Sequence, residues 1–226
     1  MTGQALAVLD RADLIVGYTA YIRLLGDRFA GKETFSTPMR QEQDRCRYCF
    51  AQAREGRRVA LICSGDAGVY GLASLMLEIG EDYPDVELEI VPGITAAVSG
   101  AALLGAPINH DFCVISLSDQ LTDAAVIERR LRAAAEGDFV IVLYNPQSRT
   151  RRGYLKKACQ IIEQTAGPDR ACGWTRCIGR EGTQTGTCTL RELQDVPADM
   201  FTTVFIGNAS TFIAGGRLVT RRGYHV

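Results

Sequence analysis

The stretch Val59-Ala60-Leu61-Ile62-Cys63-Ser64-Gly65-Asp66-Ala67-Gly68-Val69-Tyr70-Gly71 decides the fold class. The unbroken apolar run VALI is too short for a core helix and lacks polar alternation, so it reads as a strand buried on both faces. A tight turn with Gly65 and Gly68 follows, and helical spacing resumes over residues 68–80. Glycines at such a turn let backbone approach a ligand, and open α/β sheets bind ligands outside the carboxyl ends of their strands. Asp66 fits two roles there, as an acceptor for ligand hydroxyls or as a cap of the next helix.

The same rhythm extends outward. Leu14-Ile15-Val16-Gly17 and Val86-Glu87-Leu88-Glu89-Ile90-Val91 read as further buried parallel strands, and residues 40–55 carry helical spacing. Alternation of strands and helices predicts a parallel sheet covered on its faces. Pro92-Gly93-Ile94-Thr95-Ala96 repeats the small-residue turn, and the small apolar residues 93–104 suit a helix packed closely on a sheet. Thr2 caps a helix running to Asp13, with Ala5, Leu6, Val8, Leu9 and Ala12 toward its apolar face.

A break at Gly105-Ala106-Pro107 separates this half from a second one. There, strands at 112–116 and 139–144 alternate with helices near 123–135 and 151–165, followed by strands at 171–176, 184–189 and 203–207. The expected architecture is α/β with two domains, a parallel-sheet N-terminal domain over 1–108 and a mixed α/β C-terminal domain over 109–226. Tyr144-Asn145-Pro146 ends a strand of the second, since proline stops the strand and asparagine suits the turn. A ligand held between the domains would meet all three turns.

Composition narrows the class of partner. The 226 residues are 46% hydrophobic and 23% charged, with 25 basic and 26 acidic groups and a net charge of −1. That balance gives no basic surface for nucleic acid, and no apolar run is long enough to span a bilayer. With no basic and apolar leader at the N-terminus, the expected location is the cytoplasm. The eight cysteines are scattered, many in apolar stretches, and read as buried free thiols rather than a disulfide framework. Cys46 and Cys49 lie close together in a helical stretch with no second pair nearby, so no metal is expected.

Several segments carry a family resemblance: 64–71 (SGDAGVYG), 92–96 (PGITA), 104–119 (LGAPINHDFCVISLSD), 144–151 (YNPQSRTR) and 205–208 (FIGN). Together with Gly17-Tyr18 and the closing 222–224 (RGY), they span nearly the whole chain. The chain resembles the class III methyltransferases that act on tetrapyrroles. Within them it is most similar to the precorrin-3B C(17)-methyltransferases and their cobalt-pathway counterparts. The HDF…ISLSD and YNPxSxxR segments are particular to that branch, whereas GDxGVYG alone indicates the broader class.

The resemblance implies S-adenosyl-L-methionine as methyl donor, folded into the cleft between the domains, and a homodimer. It places donor contacts at Gly65, Asp66, Ala67, Val69 and Tyr70, at Thr95 and Ala96, and at Tyr144 and Asn145. Gly179-Arg180 and Thr202-Thr203 would close over the nucleoside. It further implies methylation of C-17 with contraction of the macrocycle in the pathway to cobalamin. Positioning then matters more than a strong base, because the methyl is already activated and the accepting carbon is electron-rich.

The implied substrate bears many carboxylates, which arginine forks suit. Arg151 within the matched motif, with Arg149 and Ser148 beside it, is the expected substrate contact; Arg152, Arg176 and Arg180 fit the same role or a solvated surface. Arg40 and Arg45 flank Glu42 and read as surface ion pairing. Proton transfer during contraction leaves two candidates, His110 and Asp119, against simpler roles as an ordered turn and a helix cap.

Relatives begin with a short strand and a Gly-Pro-Gly loop before the helix that here starts at Thr2. Their absence from these 226 residues predicts a site incomplete in one wall. Relatives also have proline where Arg221 stands. Competing functions are methylation at another precorrin position, which ISLSD and YNPxSxxR oppose, and an inactive member of the fold. A dinucleotide oxidoreductase would need a GxGxxG after a first strand, and none is present.

Overall fold

The computed structural model describes residues 1–148 and 152–224. The chain divides into two compact units, Met1–Thr95 and Ala96–Val226. This division precedes the break that the sequence places near residue 108. The reason is local: Gly105 and Ala106 pair with Leu218 and Val219, which makes that break an internal part of the second unit.

The first unit contains α1 (Gly3–Arg11), β1 (Leu14–Tyr18), α2 (Thr19–Ile22), two short 3-10 turns, β2 (Glu33–Thr37), α3 (Glu42–Arg54), β3 (Val59–Ile62) and α4 (Ala73–Gly80). The strands form a parallel sheet in the order β2-β1-β3, with Leu14 opposite both Glu33 and Val59. Side chains of a strand alternate between faces, and β1 shows it. Leu14 and Val16 pack with Cys46, Cys49, Phe50, Met76 and Ile79 of α3 and α4. Ile15 packs on the other side with Leu9, Ala12, Phe29 and Ala60. Thr2 caps α1, its hydroxyl accepting from Ala5 N and donating to Pro92 O at 3.1 Å.

Residues 86–91 do not form the expected strand. Val86 and Leu88 pack against the core while Glu87 and Glu89 face outward, so the alternation is real. Alternation reports which face is covered, however, and a strand also needs a neighbouring backbone to bond. Among the described residues no strand pairs with this segment. Arg45 corrects a second expectation. It is buried rather than a surface ion-pair partner, and its guanidinium donates to Thr37 Oγ1 at 2.9 Å and to Pro38 O at 3.2 Å.

The second unit contains α5 (Ala96–Leu104), β4 (Gly105–Ala106), β5 (Phe112–Ser116), α6 (Ala124–Glu136), β6 (Val140–Tyr144), α7 (Tyr154–Ala166), β7 (Ala171–Arg176), β8 (Gln184–Thr189), α8 (Leu190–Leu193), β9 (Thr202–Ile206), β10 (Thr211–Ala214) and β11 (Arg217–Thr220). Its main sheet runs β5-β6-β9-β7-β8, in which β5 and β6 are parallel while β9 is antiparallel to both neighbours. The mixed sheet is two-sided. Ile141, Leu143, Val204 and Ile206 face a core with α6, α7 and α8, whereas Val142 and Phe205 face Ala97, Ala101 and Leu104 of α5. Gly100 lets α5 lie close to the sheet, because a Cβ there would stand 2.8 Å from Thr175 Oγ1 and 2.9 Å from Phe205. No helix among the described residues is long and apolar enough to cross a membrane.

Candidate functional site

In the first unit, the backbone leaves β3 and turns at Gly65, whose φ of 78° lies in the left-handed region that glycine adopts without a Cβ penalty. Asp66 then binds two turns into one piece. Its Oδ1 accepts from Gly68 N at 2.8 Å and its Oδ2 from Gly93 N at 2.7 Å. These backbone bonds, that of Gly93 foremost, hold the carboxyl below its ordinary range, and Asp66 is therefore ionised at neutral pH. The carboxylate thus braces the 64–71 turn against the 92–95 turn, a role beyond the two that the sequence suggests.

Two glycines make that closeness possible. A Cβ on Gly93 would sit 2.0 Å from Gly65 O, and one on Gly71 would sit 2.4 Å from Ala67 O. Tyr70, just before Gly71, is exposed with a φ of 53°, an uncommon conformation for a bulky side chain. Such strain persists only where neighbours impose it, and it is concentrated at functional sites. Here the neighbours are the Ala73 N to Ala67 O bond at 3.0 Å and the Val69 N to Asp66 O bond at 3.4 Å. Helix α4 consequently starts at Ala73, later than the spacing suggests, and Ser64, Gly65, Gly68 and Tyr70 are left exposed at the carboxyl end of β3.

In the second unit, the matching feature lies at the carboxyl ends of parallel β5 and β6. Tyr144 uses its hydroxyl to accept from Ala97 N at 2.6 Å, satisfying a first-turn donor of α5. Asn145 has a φ of 52°, and its side-chain amide donates to Ser116 Oγ at 3.0 Å. Ser116 Oγ also accepts from Ser118 N at 3.2 Å, and Leu117 N bonds to Tyr144 O. Ala96 opens α5, one residue before the Ala97 N–H that donates to Tyr144 Oη, and Asn145 follows Tyr144 directly.

Gly179, with a φ of 67°, and Arg180 lie in a turn tied by Thr183 Oγ1 to Cys177 O and Arg180 O. The Arg180 guanidinium stands 4.8 Å from the centre of the Phe201 ring. Thr202 and Thr203 are buried on β9, opposite Arg176 and Thr175. The Thr202 hydroxyl is bonded to Asp199, which also accepts from Arg176 at 2.6 Å.

The two acid/base candidates separate. His110 precedes β5, whereas Ser116 ends it, and a five-residue strand spans about 16 Å. His110 Nδ1 accepts from Asp111 N at 2.9 Å, and the ring lines a cavity of about 310 Å³ with Ile108, Asn109, Asp111 and Arg222. Asp119 accepts from Tyr154 Oη at 2.6 Å, while the α6 cap is Asp123. Ser148 is half-buried in the loop after β6, and Arg149 and Arg151 lie outside the described residues. Sequence reasoning missed Ser116 and Tyr154, although Ser116 lies within the ISLSD segment that it singled out. No group of three or more His, Cys, Asp or Glu able to hold a metal occurs among the described residues.

Comparison with known proteins gives the family. The family model of the tetrapyrrole (corrin/porphyrin) methylases matches residues 1–194. A probable cobalt-factor III C(17)-methyltransferase from Salmonella typhimurium is 42% identical, over 99% of this chain and 93% of that protein. A precorrin-3B C(17)-methyltransferase from Sinorhizobium sp. is 36% identical, over 99% and 87% respectively. The crystal structure of the methyltransferase CobJ superposes with a TM-score of 0.89 at 37% identity, covering 98% of this chain and 93% of that one. A uroporphyrin-III C-methyl transferase from Thermus thermophilus, complexed with S-adenyl homocysteine, shares the fold with a TM-score of 0.68 at 19% identity, covering 92% and 90%. On the family match and on this identity over nearly its whole length, the chain belongs to the tetrapyrrole (corrin/porphyrin) methylases.

Proposed function

We propose that this protein methylates C-17 of precorrin-3B or of its cobalt-containing counterpart, with contraction of the macrocycle, in cobalamin biosynthesis. S-adenosyl-L-methionine is the proposed donor. The carrying observation is the 42% identity to a cobalt-factor III C(17)-methyltransferase across 99% of the chain. The donor supplies a methyl already activated on a sulfonium, which leaves as a neutral thioether.

The residues present suit such a donor. Gly65 and Gly68 expose backbone rather than side chain at the 64–71 turn, which admits a ligand close to the chain, while Gly93 lets the 92–95 turn pack against it. Ionised Asp66, beside Ala67, Val69 and Tyr70, supplies negative charge and acceptors for hydroxyl groups. Thr95, Ala96, Tyr144 and Asn145 present hydroxyl, backbone and amide groups for hydrogen bonding. Gly179, Arg180, Thr202 and Thr203 are assigned to the nucleoside. Ser148, Arg149 and Arg151 are assigned to carboxylates of the tetrapyrrole, for which guanidinium forks are suited. These groups bind and orient, and the rate then rests on holding the accepting carbon in line with the methyl. We place the protein in the cytoplasm as a homodimer, which analytical ultracentrifugation of the purified chain would check.

The test incubates the purified protein with methyl-labelled S-adenosylmethionine and either tetrapyrrole, reading the product by carbon NMR. A label at C-17 is the expected result. Transfer to another ring position, or none with either acceptor, overturns the assignment.

A further inference from the structure

Resting on the proposed function for the identity of its ligand, we infer that Arg45, with Thr37, Thr19 and Ser36, forms a carboxylate-binding site at the carboxyl end of the first unit's parallel sheet. Arg45 is 3% exposed, and its charge meets only neutral groups: Nε donates to Thr37 Oγ1 at 2.9 Å and Nη2 to Pro38 O at 3.2 Å. Nη1 bonds to no described residue, yet it is not sealed off. Among the described residues, Thr175 Oγ1 is the one fully buried side-chain nitrogen or oxygen without a partner. The contrast with the rest of the unit is plain. Arg28, Arg47, Arg54, Arg57 and Arg58 each pair with an aspartate or glutamate, and each of them is partly exposed to water. The arginine withdrawn from water is thus one that forms no ion pair with a described residue, although a buried charge is costly unless paired.

Its position points to a ligand. Thr37 ends β2 and is the register partner of Tyr18, which ends β1, and open α/β sheets bind ligands outside such ends. Thr19 Oγ1 donates to Thr37 O at 3.2 Å and lies 3.3 Å from Ser36 Oγ. The three hydroxyls grade outward, with Thr37 buried, Thr19 half-buried and Ser36 exposed. Thr37 Oγ1 accepts from Arg45, which leaves its own hydrogen to donate. The nearby Glu42 does not neutralise the site, since its Oε1 accepts from Arg40 N. At the end of β3, burial pushes the Cys63 thiol up, and the Leu72 N–H and the Arg45 charge oppose it, so the cation also acts where the 64–71 turn begins. A buried guanidinium fronted by hydroxyls offers donors and positive charge together, the chemistry that recognises a carboxylate. Both proposed ligands carry one, on the tetrapyrrole side chains and on the amino-acid end of the donor.

Arg45→Met removes the charge and keeps an unbranched side chain, and two probes read the result. Uroporphyrin III, a stable tetrapyrrole bearing carboxylates, is titrated by its fluorescence, and S-adenosylhomocysteine by calorimetry. One probe should bind about tenfold more weakly, the loss of one charge-assisted contact, while the other stays within about twofold. Weakening confined to uroporphyrin assigns the site to a tetrapyrrole carboxylate, and weakening confined to S-adenosylhomocysteine assigns it to that of the donor. Arg45→Lys, which keeps the charge and loses the planar fork, should recover part of the loss for the same probe. It carries the test with the same split if Arg45→Met does not fold. Unchanged affinity for both probes overturns the site, and so does equal weakening of both, which general loosening would give. A wild-type protein that binds uroporphyrin through Arg45 yet methylates neither proposed acceptor overturns the functional reading alone. A wild-type protein that binds neither probe overturns that reading and this site with it.

Discussion

Replacing Gly93 with alanine tests the brace between the two turns of the first unit. The new Cβ would stand 2.0 Å from Gly65 O and 3.0 Å from Asp66 Cα, contacts with backbone that no rotamer can relieve. Something must shift, and forcing a methyl into such a space costs about 1–3 kcal/mol. The same movement lengthens the bond from Gly93 N to Asp66 Oδ2, now 2.7 Å. A hydrogen bond to a carboxylate contributes about 1.5–3 kcal/mol, and the lower end applies to a group this exposed. Together the change should destabilise the first unit by about 3 kcal/mol. With a urea slope of about 2 kcal/mol per molar, the midpoint should fall by about 1.5 M. Donor binding should fall with it, because the displaced backbone is the turn that carries Gly65 and Tyr70. Gly3→Ala is the matched control. Nothing lies within 4 Å of its Cβ position, so alanine there should stabilise helix α1 by about 0.5 kcal/mol. A Gly93→Ala protein with the wild-type midpoint and donor affinity would refute the reasoning, since it would show that the turns separate freely.

Thr175 is fully buried and its hydroxyl has no hydrogen-bond partner among the described residues, so Thr175→Val should raise stability by about 1 kcal/mol, or about 2–4 °C in Tm. A lower Tm would mean that the hydroxyl is satisfied in solution. Acid should weaken the first unit through Asp13, whose carboxyl is drawn down from 3.8 to about 2 chiefly by its side-chain and backbone bonds to Arg58. A depressed folded value stabilises above the unfolded value and is lost as pH falls from there through about 2. Asp66 and Asp85 act in the same direction, and Asp13→Asn should flatten a plot of Tm against pH between 5 and 2. Burial pushes Cys46 to about 11 and Cys49 and Cys159 to about 12. These thiols should therefore resist iodoacetamide at pH 8 until the protein is unfolded, and early labelling of Cys49 in peptide maps would contradict their placement.

Most of the fold was legible because strand runs and helix spacing report burial directly. The run LIVG at 14–17 and the stretch 139–144 read as strands, and they form β1 and β6. Val86–Val91 shows the limit of that signal. Its alternating side chains match a covered face, yet pairing depends on a neighbour that a linear pattern does not encode. Arg45 fails for a related reason. Charge in a helical stretch reads as surface, and only the fold brings Thr37 and Pro38 to a guanidinium that can then be buried.

The site divides the same way. Glycines at turns announce close approach, so Gly65 and the 92–96 turn were visible, but the sequence gives no sign that Asp66 joins them across 27 residues. In the sequence Ser116 is only part of a motif, and Asp119 only an acid/base candidate or a helix cap. Their bonds to Asn145 and Tyr154, both distant in sequence, appear only in the fold. The Asn145 contact also explains why β5 and β6 must be parallel neighbours: Ser116 and Tyr144 are register partners, so the residue after Tyr144 arrives beside the Ser116 hydroxyl. Shifting that register by one residue would turn Ser116 to the opposite face and leave Asn145 without its partner. The parallel pairing of β5 with β6 therefore places the Ser116–Asn145 contact as well as building the core.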